Sequence, residues 1–167
     1  ITNPLTMTIG PSIVYVNGTA NFESKFMDLN LSLTDASTFL INNFWTDSLS
    51  SGLATGSMAL MGPFDSLGMD ADLLITDFKY NNISLSSFEF SGNLGNLNQF
   101  RDGYIKLKFG KGNWNDYGFD NGTGEFQIVQ DLIEISSFEL KNGQDYFQVN
   151  GSIRNDSILY LDRFQIA

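Results

Sequence analysis

The chain has 167 residues, of which 42% are hydrophobic, so it can bury a substantial apolar surface and is not disordered by composition. Its 9 basic and 19 acidic residues give a net charge of -10, which argues against binding to nucleic acid or adsorption to anionic headgroups. Cysteine and histidine are absent, which excludes disulfides, thiolate metal sites and the usual general base. We therefore expect no enzyme, no cofactor, no metal site and no nucleic acid partner.

Apolar residues recur at every second position along much of the chain. Because successive side chains of a strand point to opposite faces, this spacing predicts strands with one apolar face. A helical turn stays open only near Leu94–Phe100 or Thr46–Ser51. In chain order, the alternation is clear over residues 28–33, 69–75, 105–109, 126–128 and 147–149.

Turn residues separate the apolar runs. Asn-Gly dipeptides begin at Asn17, Asn121, Asn142 and Asn150, and such dipeptides readily accept positive φ, so we expect turns there. Turn signals recur about every 8–15 residues, which is typical of an antiparallel meander. The connections are too short to hold the crossover helices of a parallel sheet. The sequence thus predicts an all-β fold.

An eight-residue motif occurs twice. Ile83–Phe90 and Ile133–Leu140 are identical at five of eight positions, at a spacing of 50 residues. In each copy the apolar phase changes at a Ser-Ser pair, which predicts a β-bulge or a sharp bend there. A period of 50 residues favours a stacked array.

The polar residues offer two candidate sites, each with a simpler explanation. Asp70 and Asp72 project from the same strand face, as paired catalytic carboxylates do, but they alternate with apolar residues and are expected on the wet face. The loop around Asp116 and Asp120, with Asn113, Asn115 and Asn121 beside them, has oxygen ligands of the kind that bind calcium. Its spacing fits no EF-hand, and an Asn/Asp-rich turn is favoured.

The apolar face itself is the remaining candidate. It forms either the core of an ordinary sandwich or the lining of a trough for acyl chains, in which each CH₂ gains roughly 0.8 kcal/mol on leaving water.

One stretch of the sequence is similar to a known family. Residues 50–72, SSGLATGSMALMGPFDSLGMDAD, resemble a segment of the TamB-like proteins, the translocation and assembly module subunits of the AsmA-like superfamily. In these proteins a small-residue ATG leads a strand, followed by Gly-Pro, a short polar turn and an alternating strand. Residues 83–92 and 133–153 are similar to the family's strand pairs that close on glycine, and the resemblance covers roughly residues 25 to 165.

The resemblance implies a location and partners. TamB-like proteins are anchored in the inner membrane of Gram-negative bacteria and cross the periplasm as a long, curled β-sheet with an apolar groove. They are implicated in moving phospholipid to the outer membrane and in assembling outer-membrane proteins with a TamA/BamA-like barrel partner. The resemblance carries no catalytic residues.

Our hypothesis is an all-β, elongated, curled antiparallel β-sheet with a β-taco-like groove made of repeated strands. Residues 1–167 would be a single β-repeat segment of a longer periplasm-spanning protein, since the chain begins at Ile1 without an initiator methionine. Sixteen residues are predicted from the alternation to line the groove and contact phospholipid. They are Leu29, Leu31, Leu33, Leu73, Ile75, Ile83, Leu85, Phe88, Phe90, Ile105, Leu107, Phe109, Ile133, Ile135, Phe138 and Leu140.

Two alternatives stay open. An open sheet edge offers a template for strands of nascent outer-membrane proteins, which would make the chain a protein-interaction module. A surface adhesin or carbohydrate-binding β-sandwich would instead present Trp45 and Trp114 to sugars.

Overall fold

The computed structural model describes residues 5–9, 11–37, 50–97, 99, 101–154 and 159–166, which hold thirteen β-strands and no helix. All the described strands belong to one sheet. Their bounds are β1 Leu5–Ile9, β2 Ser12–Asn21, β3 Phe26–Ser37, β4 Ser50–Pro63, β5 Gly68–Tyr80, β6 Ile83–Asn96, β7 Arg101–Phe109, β8 Gly112–Trp114, β9 Tyr117–Phe119, β10 Asn121–Val129, β11 Leu132–Asn142, β12 Asp145–Arg154 and β13 Leu159–Ile166.

The sheet is an antiparallel meander. β7 and β8 lie end to end, and both pair with β6. β9 and β10 also lie end to end, with β9 paired to β8 and β10 paired to β7. Counting each such pair of strands as one line, the thirteen strands form eleven successive lines across the sheet. Among the described strands, β1 and β13 each have one hydrogen-bonded neighbour, and the sheet does not close. The prediction of an all-β, elongated, curled antiparallel sheet is confirmed.

The Asn-Gly dipeptides are placed differently from the prediction. Only Asn142–Gly143 makes a turn, with Gly143 at φ +62°, whereas the other three lie inside β2, β10 and β12. Gly122 shows the reason, because a Cβ there would lie 2.5 Å from Leu140 Cδ2 and 3.0 Å from Phe109 Cδ2. In β10 the glycine therefore makes room for large neighbours within a strand.

The two segments at which the sequence allowed a helical turn lie partly in strands. Leu94–Asn96 closes β6, and Ser50–Ser51 opens β4. Residues 46–49 lie outside the described residues.

The phase change in the second copy of the motif is a β-bulge, as predicted. Along β11, Ile135 pairs with Gly151 and Phe138 pairs with Val149, so Ser136 and Ser137 face a single residue of β12. The bulge returns Phe138 to the apolar side of the sheet.

The phase change in the first copy is a bend that neighbouring strands share. Ile75 pairs with Phe88 and Phe78 pairs with Leu85, so β5 and β6 change phase together without a register shift. Beside β6, the neighbouring line is interrupted opposite the same residues, where β7 ends and β8 begins. We call this feature the crease and define it by Asp77, Ser86–Ser87 and Gly110–Lys111.

The 50-residue spacing is not a translational period of the sheet. Three antiparallel steps separate β6 from β11, so the two copies of the motif run in opposite directions. A translation along the sheet cannot superpose them. What the two copies share in the structure is a phase change at the Ser-Ser pair.

Candidate functional site

The sixteen predicted groove residues share one face of the sheet. Five of them (Leu33, Leu73, Ile75, Leu85 and Ile135) are buried, and the other eleven are half-buried. Their directly paired cross-strand partners are apolar residues or glycine, except at Ile83, which pairs with Tyr80 and Trp114. We call this side the apolar face and the opposite side the outer face.

Residues of the apolar face form rows that cross the sheet without a polar residue. Each row follows directly paired residues from strand to strand. One central row contains Leu5, Val16, Leu31, Met58, Ala71, Gly92, Ile105, Phe126, Ile135, Gly151 and Leu161. The other contains Met7, Val14, Leu33, Gly56, Leu73, Phe90, Leu107, Gly124, Phe138, Val149 and Phe164.

Two flanking rows widen this surface. One runs from Ala36 in β3 through Ile75 and Phe109 to Ile166, and the other runs from Gly18 in β2 through Leu60 and Ile128 to Leu159. Eleven lines at about 4.8 Å spacing make the central rows roughly 48 Å long. That length exceeds the roughly 15 Å of one acyl leaflet, which is half of a bilayer core.

Phenyl rings line the apolar face beside the crease. Phe78 and Phe88 have ring centroids 5.4 Å apart, and Phe88 stacks on Phe109 at 5.6 Å with an interplanar angle of 8°. Phe109 meets Phe138 edge-on at 6.1 Å, although β10 lies between their strands. The series extends to Phe147, at 6.2 Å from Phe138. The glycines of β10 permit this contact, so the aromatic lining is continuous from β5 to β12.

Most of the apolar face keeps partial contact with water. Eleven of the sixteen predicted residues are half-buried, and at the β1 edge Leu5 and Met7 are 51% and 44% exposed. The described strands form one sheet, so they supply no second sheet to close a sandwich over this face.

The outer face is polar. Asp70 and Asp72 are exposed there, and the prediction that they lie on the wet face is confirmed. Farther along the sheet, cross-strand ion pairs join Lys108 Nζ to Glu89 Oε2 at 3.0 Å and Lys106 Nζ to Glu125 Oε1 at 3.5 Å. The two faces therefore differ in charge, although the outer face also exposes Ile13, Tyr15 and Leu74.

The Asn/Asp-rich loop folds into a hairpin between β8 and β9. Asn115 takes φ +52° in the turn, and Asp120 Oδ2 accepts a hydrogen bond of 2.9 Å from the Gly143 amide. In the described ranges, no group of three or more acidic side chains is arranged to hold a metal ion. Trp114 is 54% exposed on this hairpin, whereas Trp45 lies outside the described residues.

The alternation predicted 8 of the 22 residues in the two central rows. Met58, Ala71, Phe126 and Val149 are among the other fourteen, as are four glycines and the residues of β1, β2 and β13. Phe126 and Val149 already stood in alternating runs. The glycines carry no apolar signal, and only the strand register reveals them.

No known protein family, curated protein or solved structure matches this chain. In the part of the chain that the structure describes, no helix has the length and apolar character to cross a bilayer.

Proposed function

We propose that this chain is a non-enzymatic section of a periplasmic conduit whose apolar face shields phospholipid acyl chains between the inner and outer membranes. The observation that best supports this proposal is the composition of the two central rows. From strand to strand, every directly paired residue in these rows is apolar or glycine. The half-buried state of most lining residues supports the proposal, because a lipid chain can reach them.

The energetics require this continuity. Each CH₂ gains roughly 0.8 kcal/mol on leaving water, so a 16-carbon chain gains on the order of 10 kcal/mol along an apolar lining. A polar side chain within a row would interrupt that gain and would be a barrier to sliding. The glycines in the rows add no polar side chain.

The cellular setting of the proposal rests on the TamB-like resemblance of residues 50–72. Phospholipid is the proposed ligand, and a TamA/BamA-like outer-membrane barrel is the proposed partner of the parent protein. The parent would be anchored in the inner membrane of a Gram-negative bacterium, with this section in the periplasm and a second role in outer-membrane protein assembly.

A matched pair of leucines tests lipid binding. Leu107 lies in a central row, whereas Leu74 lies on the outer face and is 41% exposed. Leu107→Asp should lower the phospholipid that copurifies with the folded protein about tenfold, since it places a charge in the lining. Leu74→Asp should leave the lipid unchanged. Mass spectrometry of extracted lipid measures both, with thermal unfolding as the folding control.

Equal lipid loss in the two folded variants would contradict the proposal. Ile135→Asp is a poorer test than Leu107→Asp, because Ile135 is only 7% exposed and a charge there would disrupt folding.

The β1 edge favours a second candidate function. β1 reads LTMTI, carries no charge and pairs only with β2 among the described strands, so it offers free backbone groups to an incoming strand. Nascent outer-membrane strands would then bind by β-augmentation. Different peptides from such strands should displace one another from the β1 edge and leave bound lipid in place. Peptides that displace the lipid would bind the apolar face instead.

A further inference from the structure

The crease forms a concavity on the outer face of the sheet. Its volume is about 220 Å³, and its lining includes Lys79, Ser84 and Asn113, which share one row on the outer face. Phe78 and Leu85 also line it from beneath, since their own row belongs to the apolar face. Leu85 is buried at 5% exposure, and Gly112 beside it has no room for a side chain, since a Cβ would lie 2.4 Å from the Ser84 carbonyl oxygen. The base of the concavity is therefore firmly packed.

Two lysines from different strands line this concavity. Lys79 comes from the end of β5 and Lys111 from the break between β7 and β8. Their Cα atoms are two strand spacings and about two residues apart, or roughly 12 Å, so both flexible side chains can reach one small ligand. In the described part of the chain neither lysine forms a salt bridge, whereas Lys106, Lys108, Lys141 and Arg101 do.

Neutral hydrogen-bond donors stand between the lysines. Ser84 pairs directly with Lys79 on one side and with Asn113 on the other. Ser86 lies one step nearer the crease, where its amide donates to the Lys111 carbonyl oxygen at 2.8 Å. Two hydroxyls and an amide group thus line the same concavity as the two ammonium groups.

We propose that this concavity binds a phosphate group, with Lys79 and Lys111 supplying charge and Ser84, Ser86 and Asn113 supplying neutral donors. With two lysines and one aspartate, the site is locally basic, although the whole chain has a net charge of -10. Asp77 is the one carboxylate among its lining residues and weakens the attraction. The site lies on the opposite face from the apolar rows and does not depend on the proposed function.

Inorganic phosphate, followed by the lysine side-chain NMR signals of the whole chain, tests this site. Phosphate should shift the signals of Lys79 and Lys111 and leave those of Lys106 and Lys108 in place, while chloride at equal ionic strength shifts neither pair. Lys79→Gln and Lys111→Gln should each weaken binding about two- to fivefold, the range for exposed charge pairs. Asp77→Asn should strengthen it by a similar factor, and asparagine suits the φ of +52° at that position.

A matched double variant separates a site from general charge. Lys106→Gln with Lys108→Gln removes the same charge as Lys79→Gln with Lys111→Gln, but from lysines that already pair with glutamates. Equal weakening by the two double variants, or a weaker complex in Asp77→Asn, would overturn the proposal.

A vesicle arm identifies the source of the phosphate group. Sedimentation with vesicles of phosphatidylcholine containing phosphatidylglycerol, compared among the same variants, reports on lipid headgroups. Vesicle binding lost with Lys79→Gln and Lys111→Gln assigns the site to a headgroup. Binding of inorganic phosphate alone assigns it to a free phosphate compound, and binding of neither overturns it.

Discussion

Glycine has an unusual role in this sheet. Gly56, Gly92 and Gly124 stand in the central rows, where the backbone or the phenyl rings of neighbouring strands leave no room for a Cβ. A Cβ at Gly124 would lie 2.7 Å from Phe126 Cε2 and 3.2 Å from Phe138 Cδ2. Glycine normally weakens a strand, so its use here indicates that packing on the apolar face outweighs backbone propensity.

Gly92 is the position at which this packing is tested most sharply. A Cβ there would lie 2.3 Å from the Tyr104 carbonyl oxygen, which is backbone and cannot rotate away. Gly92→Ala should lower the free energy of unfolding by about 1–3 kcal/mol, as overpacked sites do. Urea denaturation measures the change.

Gly143 provides the control for Gly92. It lies at φ +62° in the β11–β12 turn, and a Cβ there would have no neighbouring atom within 4 Å. Gly143→Asn should therefore change stability by no more than about 0.5 kcal/mol, since asparagine accepts this backbone conformation. A tolerated Gly92→Ala would mean that the strands beside it are not packed as described.

At the scale of strands, irregularities keep the apolar face continuous. Side chains alternate with a period of two, so any slip of one residue would turn a strand's apolar set to the outer face. β11 avoids this with the bulge at Ser136–Ser137, where Asn150 Nδ2 also donates a hydrogen bond to the Ser136 carbonyl oxygen. β5 and β6 avoid it by changing phase together at the crease.

Deleting Ser136 tests the role of the bulge. Its removal leaves Ser137 alone in the ladder between Ile135 and Phe138, so both apolar residues keep their partners and their face. We expect this deletion to change the free energy of unfolding by no more than about 1 kcal/mol, measured by urea denaturation. Deleting Gln127 from the regular part of β10 would instead turn Phe126 or Ile128 away from the apolar face, and should lower the free energy of unfolding by about 3 kcal/mol. Equal losses for the two deletions would show that Ser136 is not an extra residue in the ladder.

Much of this architecture could be predicted from alternation, and its failures have physical causes. The shared face of the sixteen positions and the two Ser-Ser phase changes could be predicted from the spacing of apolar residues alone. An Asn-Gly dipeptide indicates tolerance of positive φ, but it does not report the close packing that keeps Gly122 within a strand. The relative direction of Ile83–Phe90 and Ile133–Leu140 depends on the number of strands between them, which the two motifs do not encode.

At the scale of the molecule, the sheet has an apolar side and a polar side. The apolar side extends over eleven lines of strands, while the outer face carries exposed carboxylates and ion pairs such as Lys108–Glu89. An open sheet of this kind leaves apolar surface in contact with water unless something covers it, and large exposed apolar patches mark interaction sites. An acyl chain would cover such a lining without needing hydrogen bonds.

Site-specific photo-crosslinking to phospholipid tests this account most directly. Benzoylphenylalanine would replace Leu31, Leu107 or Phe138 on the apolar face, and Ser32, Leu74 or Lys106 on the outer face. Phospholipid adducts, detected by mass spectrometry of the folded protein, should form at the first three positions and not at the second three. Adducts that form equally on both faces, or only at Leu74 and Lys106, would contradict the account.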